Sequence, residues 1–151
     1  MHALRERSLD QAILQHVSQK KPFLGICVGM QILFEDSDEF GHAPGLGILA
    51  GHVSRFTAAA PRVPHMGWNN LEICSRHPFV DGLSGEPYAY FLHSYRAPAG
   101  PDTVAACTHG ERFSAIVARG NVMGTQFHPE KSQRTGARLL DNFLSVSGED
   151  R

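Results

Sequence analysis

The chain has 151 residues, of which 42% are hydrophobic and 19% charged, a size and balance that suit one domain with one sizeable core. A formal net charge of -1, with acidic and basic residues interspersed, excludes the electrostatic footprint of a nucleic-acid or anionic-membrane binder. No apolar run is long enough to span a bilayer, and three scattered cysteines (Cys27, Cys74, Cys107) outside any C-x-x-C pair suit a reducing cytoplasm better than a disulfide framework.

In chain order, Leu9, Ile13, Leu14 and Val17 recur at helical spacing beside Arg5, Glu6, Arg7 and Asp10, predicting a surface helix. Pro22 to Cys27 is continuously apolar and predicts a strand covered on both faces. Val28 to Phe34 reads as a short helix, and the polar stretch Glu35 to Gly45 as a loop. Short strand-like runs follow at Gly47–Phe56, Trp68–Ile73, Tyr88–Tyr95, Val104–Thr108, Phe113–Arg119 and Val122–Phe127, some of them expected as antiparallel hairpins flanking a parallel sheet. Leu139, Leu140, Phe143 and Leu144 predict a C-terminal helix with Ser132 as N-cap and Gly148 as its stop. A helix feeding a buried strand is an α/β signature, and nothing in 1–151 marks a linker or a repeat.

The chemistry begins at Gly25-Ile26-Cys27-Val28-Gly29. Glycines two before and two after the cysteine permit a tight strand-to-helix turn that projects the sulfur outward. Such a turn sets Cys27 at a helix N-terminus, which favours thiolate, and aims the Val28 N–H at a developing oxyanion. A buried, unreactive cysteine fits the same apolar run. In Gly124-Thr125-Gln126-Phe127-His128-Pro129-Glu130, Pro129 biases His128 toward extended backbone, so an imidazole and a carboxylate start as neighbours. A base oriented by a carboxylate is what a thiol nucleophile needs.

These segments, with Pro64-His65-Met66-Gly67-Trp68-Asn69 and Tyr90-Phe91-Leu92-His93-Ser94-Tyr95, resemble the class I glutamine amidotransferases, and within them the glutaminase subunits of imidazole glycerol phosphate synthase. The resemblance covers Lys21 to Leu144. It implies a flavodoxin-like three-layer α/β sandwich whose central sheet is mostly parallel, with antiparallel hairpins. It further implies that Cys27 attacks the amide of L-glutamine, His128 protonates the departing ammonia and Glu130 orients His128. Gln31, Glu39, Ser94 and Tyr95 would hold the substrate's amino and carboxylate groups. Met66, Trp68, Tyr90 and Lys131 match positions that face a cyclase subunit, a (β/α)₈ barrel. That partner takes the ammonia to make imidazole glycerol phosphate and AICAR in L-histidine biosynthesis. No cofactor is implied.

Family members carry strands and a Pro-Gly-Val-Gly oxyanion loop ahead of the segment where this chain opens, so the expectation is an N-terminally truncated domain, feeble or unstable alone. Two other readings stay open: a catalytically silent cyclase-docking fragment, and a γ-glutamyl hydrolase of the same fold. Nine histidines invite a metal reading, but His42, His52, His65, His77, His93 and His109 show no H-x-x-x-H spacing and adjoin no cysteine pair, so none is assigned as a ligand.

Overall fold

A computed structural model describes residues 1–146, so the expected stop at Gly148 lies outside the described residues. Helices α1 (His2–Glu6) and α2 (Leu9–Ser18) lead into strand β1 (Phe23–Ile26) and the four-residue helix α3 (Val28–Gln31). Short strands β2 (Asp36–Ser37), β3 (Ala43–Pro44) and β4 (His52–Arg55) follow, so the expected loop 35–45 carries two strand fragments. Then come β5 (His65–Asn70), β6 (Glu72–Ile73), β7 (Tyr88–His93), β8 (Tyr95–Arg96), β9 (Thr103–His109), β10 (Glu111–Arg119), β11 (Val122–Thr125) and helix α4 (Gln133–Val146).

The central sheet has the order β1-β11-β10-β9-β6, and only β1 and β11 in it run parallel. The expected predominance of parallel strands is therefore corrected for the described strands. Tight turns at Gly110 and around Gly120 join β9 to β10 and β10 to β11, and strands joined that closely must be antiparallel. The long path from β1 to β11 allows the one parallel pair. β1 is the edge strand of this sheet and only its Gly25 is buried, which also corrects the expected two-face coverage.

Period-two alternation places two cores on opposite faces of this sheet. On β1, Leu24 packs against one cluster and Phe23 against the other; on β11, Met123 and Val122 divide the same way. The larger cluster joins Phe91, Phe113, Ile116 and Phe127 to Leu139 of α4. The other gathers Met30, Leu33 and Phe34 with Leu49 and Val53. The α/β expectation of a sheet between two covering layers is thus met. Among the described residues, no helix is long and apolar enough to cross a membrane.

The larger cluster holds a chain of neutral histidines whose polarity is dictated by its ends. A carbonyl can only accept, so His93 Nδ1 donates to Tyr95 O (2.8 Å). His93 Nε2 must then accept from His65 Nδ1 (3.0 Å), and His65 Nε2 from Asn69 Nδ2 (3.1 Å). A proton added to either ring would meet a donor already in place. Burial, together with the neighbouring imidazoles, lowers the His65 pKa to about 3; burial and His109, opposed by the Tyr95 carbonyl, lower that of His93 to about 4.

The sign of the linkage follows. Between about pH 6.5, where an unfolded histidine titrates, and about pH 4, the unfolded chain takes up protons that the folded one refuses, so stability falls as pH falls through that window. Thermal melts from pH 7 to pH 4 are expected to show a falling melting temperature whose slope is reduced in His93→Gln. An unchanged slope in that variant would show that these rings do not carry the effect.

Candidate active site

Strand β1 ends one residue before Cys27, and the next residue begins α3. The reversal puts Cys27 at φ 53°, ψ -112°, a backbone region that non-glycine residues rarely occupy and that costs of order 1–3 kcal/mol. Such strain at a thiol is the elbow expected above. The close approach it needs is supplied by Gly25 alone, where a Cβ would lie 2.3 Å from the Gly29 carbonyl oxygen. A Cβ on Gly29 would face open space, so that second glycine is not demanded by packing.

The parallel register sets Gly25 against Gly124 and Ile26 against Thr125, and the Cys27 N–H donates to Thr125 O (2.7 Å). Cys27 and the segment leading to His128 therefore leave the same carboxyl ends of adjacent strands, where open α/β sheets place ligands. His128 has extended backbone (φ -94°, ψ 104°), as Pro129 dictates, and its Nδ1 donates to Glu130 Oε1 at 2.8 Å. That bond fixes the tautomer and leaves Nε2 for proton transfer. Burial works against ionisation of Glu130, but its own backbone N–H, the His128 bond and Lys131 outweigh it and hold the carboxyl below its ordinary range.

The Cys27 thiol departs from expectation. Burial pushes its pKa up, the Val28 N–H opposes this, and the negative charges of Glu39 and Glu130 raise it further. A four-residue helix has too few aligned peptides to reverse burial. Resting Cys27 is thus held as a thiol and needs a base to ionise it. Because Glu39 is one cause, Glu39→Gln is expected to shift the pH profile of Cys27 alkylation by iodoacetamide toward lower pH. A profile that stays in place would remove Glu39 from the thiol's surroundings.

A cavity of about 190 Å³ adjoins the elbow, lined by Val28, Gln31, Ile32, Ser37, Glu39 and Phe40 among others. It brings together three of the residues singled out from the sequence, Val28, Gln31 and Glu39. Ser94 and Tyr95 do not line it. Tyr95 reaches it through its backbone, whose carbonyl accepts from Gln31 Nε2 (2.9 Å), while the Ser94 carbonyl accepts from Phe56 N–H (3.1 Å). Gln31 is buried, not an exposed helix residue: its Nε2 also donates to Gln126 Oε1 (3.0 Å), leaving its own Oε1 for a ligand.

Three further residues escaped the sequence reading. Gln126 is fully buried one step beyond the Ile26–Thr125 pair, with Nε2 4.0 Å from Cys27 Sγ. A lone amide inside the apolar run 122–127 was its signal. Ser132 does stand at the expected N-cap position of α4, its carbonyl accepting the Gly136 N–H (3.1 Å), but its Oγ donates to His128 O (2.7 Å) and accepts the Tyr90 N–H (3.0 Å). It ties the histidine loop to β7, as does His128 N–H donating to Tyr90 O (3.2 Å). Gly136 lets α4 press onto the same loop, since a Cβ there would fall 1.8 Å from Pro129 O. Neither Ser132 nor Gly136 is distinguishable by type from any helix-start serine or helix glycine.

Strand β7 also carries one of the residues, Tyr90, that the resemblance assigns to a partner face. Pairing sets Met66 against Leu92, Trp68 against Tyr90 and Asn70 against Tyr88 on the side of the β5–β7 hairpin that points away from the core. Met66 is 53% and Trp68 49% exposed, and the Trp68 and Tyr90 rings meet edge to face at 5.9 Å. Leu92 and Tyr88 extend this face, and Lys131 lies outside the hairpin, at the end of the 3₁₀ turn Pro129–Lys131.

The family model described as glutamine amidotransferase class-I matches residues 5–146, and the chain belongs to that family. Solved structures share the fold: one titled crystal structure of glutamine amidotransferase has a TM-score of 0.70 at 23% identity, covering 96% of this chain and 71% of that one. Another, PurLQS from Thermotoga maritima, has a TM-score of 0.69 at 22% identity over 91% and 68%. Within the family the chain groups with imidazole glycerol phosphate synthase subunit HisH. The HisH of Salinibacter ruber is 46% identical, covering 95% of this chain and 69% of its own length. That of Syntrophotalea carbinolica is 48% identical, with 95% and 73% covered.

Proposed function

We propose that this chain is the glutaminase subunit of a cytoplasmic imidazole glycerol phosphate synthase, hydrolysing L-glutamine to glutamate and ammonia at Cys27. The observation that carries the proposal is the strained Cys27 elbow at the carboxyl end of β1, whose parallel neighbour β11 leads at the same end to a His128 with Nδ1 bound to Glu130. Glutamine enters the cavity beside α3 with its carboxamide at Cys27, and Gln31 and Glu39, which line that cavity, orient its charged end, with the Tyr95 carbonyl acting from outside it through its bond to Gln31.

His128 Nε2 takes the thiol proton as Sγ bonds to the amide carbon, which suits a thiol that burial keeps protonated at rest. The Val28 N–H stabilises the oxyanion. When the C–N bond breaks, His128 returns the proton to the leaving nitrogen, giving ammonia and a thioester. Water then attacks the thioester carbon, losing a proton to His128, and the C–S bond breaks to release glutamate and the thiol. Glu130 stabilises the imidazolium in both halves.

The exposed face of the β5–β7 hairpin, with Lys131, receives the cyclase barrel in a heterodimer, which consumes the ammonia. Aromatic and methionine side chains clustered in this way are the residues that dominate stable interfaces. The Tyr90 carbonyl accepts the His128 N–H and the Tyr90 N–H donates to Ser132 Oγ, which supports a link between that face and the proposed base.

The test is stoichiometric labelling of Cys27 by an electrophilic glutamine analogue, read by peptide mass spectrometry in the complex with the barrel subunit. One label at Cys27, blocked by glutamine, is expected. Folded complex that leaves Cys27 unlabelled would overturn the assignment.

A further inference from the structure

We propose that Asp36, His42 and His52 form a binding site for a divalent transition-metal ion of the zinc class, with Asp36 and His42 next in the chain to Ser37 and Ala43 of the cavity beside Cys27. One ligand atom from each residue lies within 4.8 Å of the others. In a tetrahedral site with bonds of about 2.0–2.1 Å, ligand atoms stand roughly 3.3–3.4 Å apart, so small side-chain rotations suffice.

The two rings divide their nitrogens in the same way. His52 Nδ1 bonds to the Asp36 carboxylate, and His42 Nε2 lies 3.7 Å from Asp36 Oδ2. Their other nitrogens both turn to Asp38: His52 Nε2 at 2.8 Å from Oδ2 and His42 Nδ1 at 3.8 Å from Oδ1. A histidine that binds a metal gives one nitrogen to the ion and donates the other N–H to a carboxylate, which sets its tautomer. Asp38 stands where that outer carboxylate belongs for both rings, and the rings stack at 6.2 Å with 23° between their planes. Two imidazoles and a carboxylate suit zinc, cobalt or nickel better than magnesium or calcium.

The backbone under the site is held by strand pairing, not by loop conformation alone. Asp36 and His52 are register partners in the parallel pair β2–β4, and His42 precedes β3, which pairs with β2. Ligands on paired strands keep their spacing without the ion. The segment between the ligands at 36 and 42 carries Glu39 and Phe40, so a bound ion joins its two ends and stiffens one wall of the cavity. Spacings of six and ten residues match no short metal motif, which is why the sequence did not disclose the site.

The experiment uses the whole chain with Cys27→Ser and Cys74→Ser, so that accessible thiols do not compete. Zn²⁺ is titrated against a chromophoric chelator, and Co²⁺ is followed by its visible spectrum. One equivalent is expected to bind, with a rise in melting temperature. His42→Ala and His52→Ala should each weaken binding by at least tenfold, and Asp38→Asn by roughly 10–100-fold through the outer contacts. Circular dichroism checks that these variants of exposed residues remain folded. Absence of binding, or one equivalent held equally well by the His42→Ala/His52→Ala double variant, would overturn the proposal.

Discussion

Cys27→Ala is expected to lower glutamine hydrolysis by at least about a thousandfold, the scale on which removal of a covalent nucleophile acts. No other group can replace the sulfur. Cys74 is exposed near β6, and the buried Cys107 has a thiol pKa pushed up to about 12 by burial, opposed only in part by the Thr108 backbone. The His128–Glu130 pair remains intact in the variant, so the loss isolates the covalent step from the proton transfers.

A companion variant separates function from strain. Because φ at Cys27 is 53°, glycine fits the elbow better than any L side chain, and Cys27→Gly should unfold at a higher temperature, by an amount equivalent to roughly 1 kcal/mol. An inactive variant that is more heat-stable than the parent would show that the elbow conformation is held against its own backbone cost for the sake of the thiol. Hydrolysis measured with the barrel subunit present, alongside thermal melts, checks both outcomes. Activity within tenfold of the parent in Cys27→Ala would end the nucleophile assignment.

The second large effect is expected at Gly136, where two physical effects oppose each other. Alanine is a better helix former than glycine by about 1 kcal/mol, which alone would stabilise α4. The new Cβ, however, would stand 1.8 Å from Pro129 O, 2.6 Å from its carbonyl carbon and 2.9 Å from its Cα. These are backbone atoms that cannot rotate aside, so α4 and the histidine loop must part. Overpacking of this kind costs about 1–3 kcal/mol or more, and the steric effect wins.

The displaced residues are those that hold His128, because Gly136 N–H donates to Ser132 O and Ser132 Oγ donates to His128 O. Gly136→Ala should therefore lower kcat by more than about tenfold as well as the melting temperature, since small misplacements of a positioned catalytic group are costly. Gly29→Ala supplies the contrast: its Cβ meets open space, so its melting temperature should match or exceed that of the parent. Equal stability of the two alanine variants would show that the contact at Pro129 is not what holds the loop.

Which parts of this site were legible in the sequence follows from how local their causes are. The elbow could be read because Gly25, Cys27 and a strand-to-helix change of period lie within five residues. The His128–Glu130 pair could be read because Pro129 forces the intervening backbone, and the hairpin face because alternation is itself a sequence pattern. The Cys27 ionisation was misjudged because helix position is local, whereas burial and the charges of Glu39 and Glu130 come from segments far along the chain. Gln31 was assigned to substrate by resemblance, while its bonds to Tyr95 and Gln126 depend on residues 64 and 95 positions away.

The sequence by itself determined the tight turn at Cys27, the pairing of His128 with Glu130, the α/β alternation and the apolar strand faces, each of which rests on steric or periodic rules acting over a few residues. Tertiary structure alone decided that β1 lies at a sheet edge with a single parallel neighbour, that the Ser132 hydroxyl serves the histidine loop while its carbonyl serves the start of α4, and that Asp36, His42 and His52 meet. The physical reason is register: a strand's neighbours, and hence the distance between groups on different strands, are set by global packing of two cores against one sheet, a quantity that no short window of residues contains.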